Sequence, residues 1–496
     1  MKKNDLFAPQ RQSVVAIILI LLKYVRMMVR QFWPVLLVVL VDRKGNFETA
    51  LGLLFGVLAL TSLTGSVIAY FKFYYYISQD HLNISRGVLR RVKVNLPFER
   101  IQTIDFEQNI IHQFFGVVRV KIDSAGSGGE EISFDALEKD RAEKLRDYIL
   151  AQKAEREDES MEIESVRTPD TRELILHLRP VDLLRIGISQ NHLRTAGIIF
   201  AFFFAIAGDI SDVIRDIDVF DWIGHEVESL IAGSVFFVLI AIPVFLIISF
   251  FVTLIRTVMV HYDLRFWRTS TGFKLTSGLI TRREKSVQKD KIQLLLWDTN
   301  PLRRLFGIFR LNLYQASSVN VVGSKAMSVP GCYQSHIDRV IATVMTDAAE
   351  ATFETLGIHR AARTRFILFA GILPCVIFTM AGILLDRQML IWTWLYFPLA
   401  VWMAFLYHRK KRLLLHKDYA VFRSGIFGDE WKMLELYKVQ AVRVSQSFYQ
   451  WRKDLATVTL HTASGSVSIP FIPIVRAGQI RDYVLYRVER DRRSWM

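Results

Sequence analysis

The sequence predicts an α+β membrane protein with about six transmembrane helices in three hairpins. Each hairpin is followed by a small antiparallel β-barrel or sandwich module that ends in a helix. Three observations carry this. One pattern recurs at 82–126, 273–317 and 420–464, and Gly87, Gly278 and Gly425 stand 15 residues before Gln102, Gln293 and Gln440 without a gap. Spacings of 191 and 147 residues are far beyond a solenoid period, so each copy is a domain. A pair of apolar stretches precedes every copy, and short β-branched and aromatic runs alternate with turn signals inside it.

Along the chain, Lys2, Lys3 and Arg11 precede an apolar run with no small-residue cleavage site after it, so no leader is expected to be removed. Lys23, Arg26 and Arg30 share one helical face, and residues 13–30 read as an amphipathic interfacial helix running into the first span. Thr49–Phe71, Leu230–Ile255, Phe366–Leu385 and Met389–Tyr407 carry no charge over 19 to 26 residues, enough to cross hydrocarbon. Phe32–Val41 and Ala196–Ala207 are shorter and need neighbouring turns to complete a crossing. Between the third and fourth spans the loop is acidic, from Asp209 to Glu228. Basic residues flank the opposite ends, so the termini and all three modules are expected on the cytoplasmic side of the cell membrane.

Within the first module, Tyr74–Ser78, His81–Arg86, Lys93–Pro97, Gln102–Glu107, Val117–Asp123 and Glu131–Phe134 read as strands, closed by a helix over Asp135–Gln152. The closing helices of the other copies fall around His336–Met345 and Ala477–Val488. The repeated glycines sit where a positive-φ hairpin turn is required. The resulting division is membrane hairpins and N-terminal helix at 1–71, 181–255 and 347–407, modules at 72–152, 256–346 and 408–490, and an acidic linker at 153–180.

The strand–Gly–strand pattern, the pairs Ile101-Gln102, Ile292-Gln293 and Val439-Gln440, and the run Arg303–Leu311 resemble the bacterial pleckstrin-homology family. Three such modules behind membrane hairpins resemble the YdbT-like multi-pass proteins of that family, over nearly the whole chain. The third copy departs most, with Trp451-Arg452-Lys453-Asp454 in place of Leu-Phe-Gly. The resemblance implies a fold and a topology, and no reaction.

The net charge of +15 is concentrated beside the apolar stretches, which fits membrane orientation rather than nucleic acid. Two cysteines, Cys332 and Cys375, give no metal or disulfide framework, and no nucleophile–base or metal-ligand spacing occurs. Neither a catalytic site, a cofactor nor a metal is therefore expected. Gly126–Gly129 reads as a hairpin turn rather than a phosphate loop, because its counterparts lie between strands.

Arg282, Arg283, Arg303 and Arg304 are candidate headgroup contacts. At Asn300–Gly307 two readings compete: a loop that dips into the membrane surface, or a helical turn with Leu302, Leu305 and Phe306 in the core and its arginines solvated. The packing reading is favoured. The expected function is non-catalytic, with cytoplasmic modules binding lipid headgroups, another membrane protein or further copies of the chain. The alternative is a transporter or exporter component for a lipid, peptide or drug, linked to envelope protection.

Overall fold

The computed structural model describes residues 7–41, 47–87, 90–124, 132–158, 173–201, 235–315, 327–345, 354–384, 389–491 and 493. The acidic loop at 209–228, the turns at 126–129 and 318–324 and the acidic stretch at 159–164 lie outside the described residues.

In the first module, β1 (Tyr74–Ser78), β2 (His81–Arg86) and β3 (Val92–Pro97) form one antiparallel sheet. β4 (Ile101–Gln108), β5 (Val117–Ser124) and β6 (Ile132–Glu138) form the other. The closing helix spans Lys139–Asp158 and buries Ala142, Leu145 and Ile149 between the sheets. It starts later than the sequence predicts. Asp135–Glu138 stay extended because Leu137 and Glu138 pair with Val118 and Val117, with a register shift where Ala136 and Leu137 are both buried.

The second module runs β7 (Glu173–His177), β8 (Arg265–Arg268), β9 (Gly272–Ser277), β10 (Arg282–Gln288), β11 (Ile292–Thr299), β12 (Phe309–Gln315) and β13 (Met327–Cys332), then the helix Gln334–Val344. The third repeats this as β14 (Glu354–Gly357), β15 (Arg412–Leu415), β16 (Tyr419–Ser424), β17 (Asp429–Glu435), β18 (Val439–Ser445), β19 (Leu455–Thr462) and β20 (Gly465–Pro473), then the helix Ile474–Arg490.

Each membrane segment is an insertion within a sheet, which the sequence does not reveal. β7 pairs with β8 and β14 with β15, so strands on the two sides of a helical segment are neighbours. In the first unit Gln10 plays this part, exchanging two 2.8 Å backbone hydrogen bonds with Tyr75. β7 thus lies inside the stretch assigned to the linker at 153–180, and β14 inside the stretch assigned to the third hairpin.

The helix Val15–Val41 packs along Phe47–Lys72, but its first turns rest on the module: Ala16 and Leu19 are buried against Val117 and Ala136. Residues 192–201 pack on Val235–His261, where Ser249 Oγ donates to the His192 carbonyl at 2.7 Å. Leu373–Leu384 packs on Met389–Lys410. There Pro374 has no N–H to give the carbonyl of Ala370, and the Tyr396 hydroxyl donates to that carbonyl instead at 2.5 Å, beside a π-helical turn at Ile367–Ile372. Among the described residues three helices are long and apolar enough to cross a membrane: Phe55–Lys72, Ile242–His261 and Ala361–Leu384.

The modules are not separate beads. Two seven-stranded sheets run across them, in the orders β6-β5-β4-β10-β9-β8-β7 and β13-β12-β11-β17-β16-β15-β14. Each joins the second sheet of one module to the first sheet of the next. The hydrophobic interior crosses with them: Tyr419, Val421 and Met433 of the third module belong to the core of the second, which also encloses Cys332.

Candidate functional site: the module joints and the rim beside the membrane helices

Between the fourth and fifth strands proper to each module lies a short helical turn, at Ile110–Phe114, Pro301–Leu305 and Phe448–Trp451. A polar N-cap starts each one. Asn109, Asn300 and Ser447 accept hydrogen bonds from the backbone N–H of His112, Arg303 and Gln450. Those three residues occupy one repeat position, and all turn inward and are buried. His112 Nε2 lies 2.9 Å from the Asp135 carbonyl, and Gln450 Nε2 donates to Thr457 Oγ1 at 2.8 Å. Arg303 donates to Asp298 at 2.9 Å, and the same carboxylate takes two bonds from Arg310. The turn ends in a left-handed residue, Gly116, Gly307 or Asp454, at φ 66°, 66° and 52°. The third module therefore keeps the turn despite its different sequence, because Asp tolerates that conformation better than most residues.

With the polar residue inside, the bulky ones point out. Phe114 is 82% exposed, Leu305 78% and Phe448 72%, with Ile110, Leu302 and Trp451 also exposed. This reverses the expectation at Asn300–Gly307. Leu305 and Leu302 are surface residues, only Phe306 packs on the core, and Arg303 is an internal clamp at 8% exposure rather than a solvated headgroup contact. A five-residue helix has one inward face, and the capped polar side chain occupies it.

The turns of the first two modules stand beside the feet of the membrane helices. Asn300 Nδ2 donates to the Ser189 carbonyl at 2.7 Å, just before the helix at 192–201, and Ile111, like Val15, Ile20 and Tyr70, packs against the cluster of Ala16, Leu19, Val117 and Ala136. The hairpins at the repeated glycines reach the same level. Gly278 and Leu279 donate backbone N–H bonds of 2.9 Å to Tyr262 and Met259 at the end of the helix Val235–His261. Lys410 Nζ donates to the Gly428 carbonyl at 2.8 Å, and the Phe427 ring lies 5.6 Å from that of Trp402. Gly87, Gly278 and Gly425 have φ of 115°, 115° and 130°, and a Cβ there would meet a backbone oxygen at 2.0, 2.0 and 2.3 Å. Leu279, Ile280 and Phe427 are exposed at these tips.

The joints set turn and tip side by side. Gln113 Nε2 donates to the Ile280 carbonyl at 3.0 Å across the first. In the second, Thr299 pairs with Asp429, a buried carboxylate that Arg423, Lys410 and Arg304 approach at 3.1, 3.4 and 3.6 Å. Trp297 stacks on Trp431 at 6.0 Å, and buried Lys438 donates to the Ile292 carbonyl at 2.7 Å while bridging Glu435. The first joint is ionic as well. Glu284 meets both Arg146 and Lys274 at 2.6 Å. Burial works against its charge, but the two cations outweigh that and hold its carboxyl below the usual value.

Arg282 and Arg283 begin β10 at this joint, where Arg283 lies 3.5 Å from Glu107. They line a groove of about 430 Å³ together with Tyr262, Arg265, Lys274 and Lys139. The exposed headgroup candidates are thus Arg282, Arg283 and Arg304, which lie in the two joints. Gln102, Gln293 and Gln440 share a different property: each is the residue skipped where its strand's register shifts, a β-bulge present in all three copies. Gln293 is buried and Gln440 exposed.

Three antiparallel modules with a closing helix, each wrapped around a membrane segment, define a membrane protein of tandem pleckstrin-homology-like domains. The model of the bacterial PH domain family matches residues 14–153, 212–347 and 365–488, and the chain belongs to that family. It is 21% identical over 477 residues to the UPF0699 transmembrane protein YdbT of Bacillus subtilis (strain 168), covering 92% of this chain and 93% of that one. Neither comparison supports the transport alternative.

Proposed function

We propose that this chain is a non-catalytic scaffold anchored by three membrane hairpins, six spans in all, with its modules forming one rigid row along the inner face of the membrane. The observation that carries the reading is the rim. Ile110 and Phe114, Leu279 and Ile280, Leu302 and Leu305, and Phe427 are exposed where turns and tips meet the helix feet, and Phe448 and Trp451 are exposed on the corresponding turn of the third module. Apolar residues with Arg282, Arg283 and Arg304 beside them suit the headgroup layer of an anionic bilayer. The row then works as a surface on which lipid and protein partners are assembled. The basic flanks of the spans support the cytoplasmic side for this row.

The test is depth. The full chain, reconstituted in vesicles, carries an environment-sensitive label on cysteine at Phe114, Leu305 or Phe448, with Ser466 as control. Ser466 follows the turn at the opposite end of β19, roughly 26 Å away at strand rise. Lipid-borne quenchers should reach the first three labels and not the fourth. Equal quenching at all four, or none, contradicts the rim.

A further inference from the structure

We propose that copies of this chain join head to tail, with β18 of one copy pairing with β3 of the next in the register that both internal joints already use. The repeat offsets of 191 and 147 residues carry the first joint onto the second. Phe106↔Glu284 becomes Trp297↔Trp431, Glu107↔Arg283 becomes Asp298↔Glu430, and Gln108↔Arg282 becomes Thr299↔Asp429. One chain therefore uses the same intermodule contact twice, donor strand four to acceptor strand three.

Each end of the row keeps half of that contact. β18 is the counterpart of β4 and β11, and β3 the counterpart of β10 and β17, and each is the terminal strand of a three-stranded sheet. Carrying the offsets once more pairs Val442 with Asn95, Arg443 with Val94, Val444 with Lys93 and Ser445 with Val92. Lys93 and Arg443 then fall on opposite faces of the sheet, so the two cations do not confront each other. Val442 and Val444 are half-buried at the open end of the third module, whereas their counterparts Leu295 and Trp297 are buried under the third module's Met433 and Trp431. A second copy supplies the missing cover.

Membrane anchoring favours the contact, because it holds every copy in one plane and one orientation. The interface is heterologous, so repetition gives a closed ring or an open chain in the membrane plane. An exposed edge strand is a template for pairing in general, and the basic residue on each edge discourages arbitrary apolar strands while leaving this register open. The proposal depends on the joints and not on lipid contact at the rim.

Cysteine pairing tests it in the full chain in native membranes. Cys332 and Cys375 are first replaced by Ser, then a Lys93→Cys chain and a Val444→Cys chain are co-expressed and mildly oxidised. A mixed disulfide dimer is expected, about tenfold more abundant than with the offset partner Val94→Cys, since only facing Cβ atoms meet disulfide geometry. As a folding control, Leu296→Cys with Lys432→Cys in one chain should close internally. The proposal is overturned if that control closes while no mixed dimer forms, if a chain carrying both end cysteines links only to itself, or if the end cysteines link only to a different protein.

Discussion

Truncating Met433 to Ala separates a shared core from a set of modules that merely touch. Met433 is a third-module residue, yet it is buried in the second module's core and sits opposite Leu295 across the joint. Removing a buried Met side chain that cannot be replaced by collapse costs ~2–5 kcal/mol. That cost should appear in the second module. Cys332, fully buried there, reports it: burial pushes its thiol up to about 12, so it reacts only when the module opens. With Cys375 replaced by Ser, thiol labelling of the detergent-solubilised chain should accelerate by about 30-fold or more, the factor that 2 kcal/mol represents. Leu460→Ala removes a comparable side chain from the third module's own core and should accelerate Cys332 labelling much less. An unchanged Cys332 rate in the Met433→Ala chain, with the chain otherwise destabilised, would refute the shared core.

Two further outcomes follow from local geometry. Gly278→Val places a β-branched residue at φ 115° with its Cβ 2.0 Å from the Thr281 oxygen, a strain of at least ~1–3 kcal/mol, and should lower the thermal midpoint, whereas Gly478→Ala in an open helical position should not. Asp105 faces Lys285 and Ser286 across the first joint, its Oδ1 is buried without a hydrogen bond, and burial pushes its carboxyl up to about 7 from an ordinary 3.8. An acid raised on folding stabilises most below its unfolded value, so this contribution, at most ~4 kcal/mol, is lost as pH rises from about 4 through 7. Urea midpoints should fall over that window, and Asp105→Asn should flatten the slope and raise the midpoint at pH 8. A variant with the parent slope would show that Asp105 does not titrate there.

Local elements were legible in the sequence where a single short-range rule governs them. The three glycines, the alternating strands of the first module and the closing helices follow from turn chemistry and periodicity. The joints were not, because β4 pairs with β10 and β11 with β17 across well over a hundred residues of intervening chain. One trace was available: Ile292–Trp297 is almost continuously apolar and is buried throughout, while the homologous Val439–Ser445 alternates and is largely exposed. Continuous apolarity marks a strand covered on both faces, and the contrast between two copies of one strand points to the covered joint. The turn at Pro301–Leu305 failed for another reason. Composition cannot say which way a five-residue helix faces, and here the Asn300 cap and the Arg303–Asp298 clamp decide it.

The central claim is that the modules share sheets in one repeated register, and two intramolecular cysteine pairs test it most directly. In a chain lacking Cys332 and Cys375, Glu107→Cys with Arg283→Cys and Leu296→Cys with Lys432→Cys should each form a disulfide on mild oxidation without loss of folding. Pairs displaced by two residues, Glu107→Cys with Lys285→Cys and Leu296→Cys with Leu434→Cys, should close poorly. Efficient closure of the displaced pairs, or failure of both facing pairs in a folded chain, would contradict the continuous sheets.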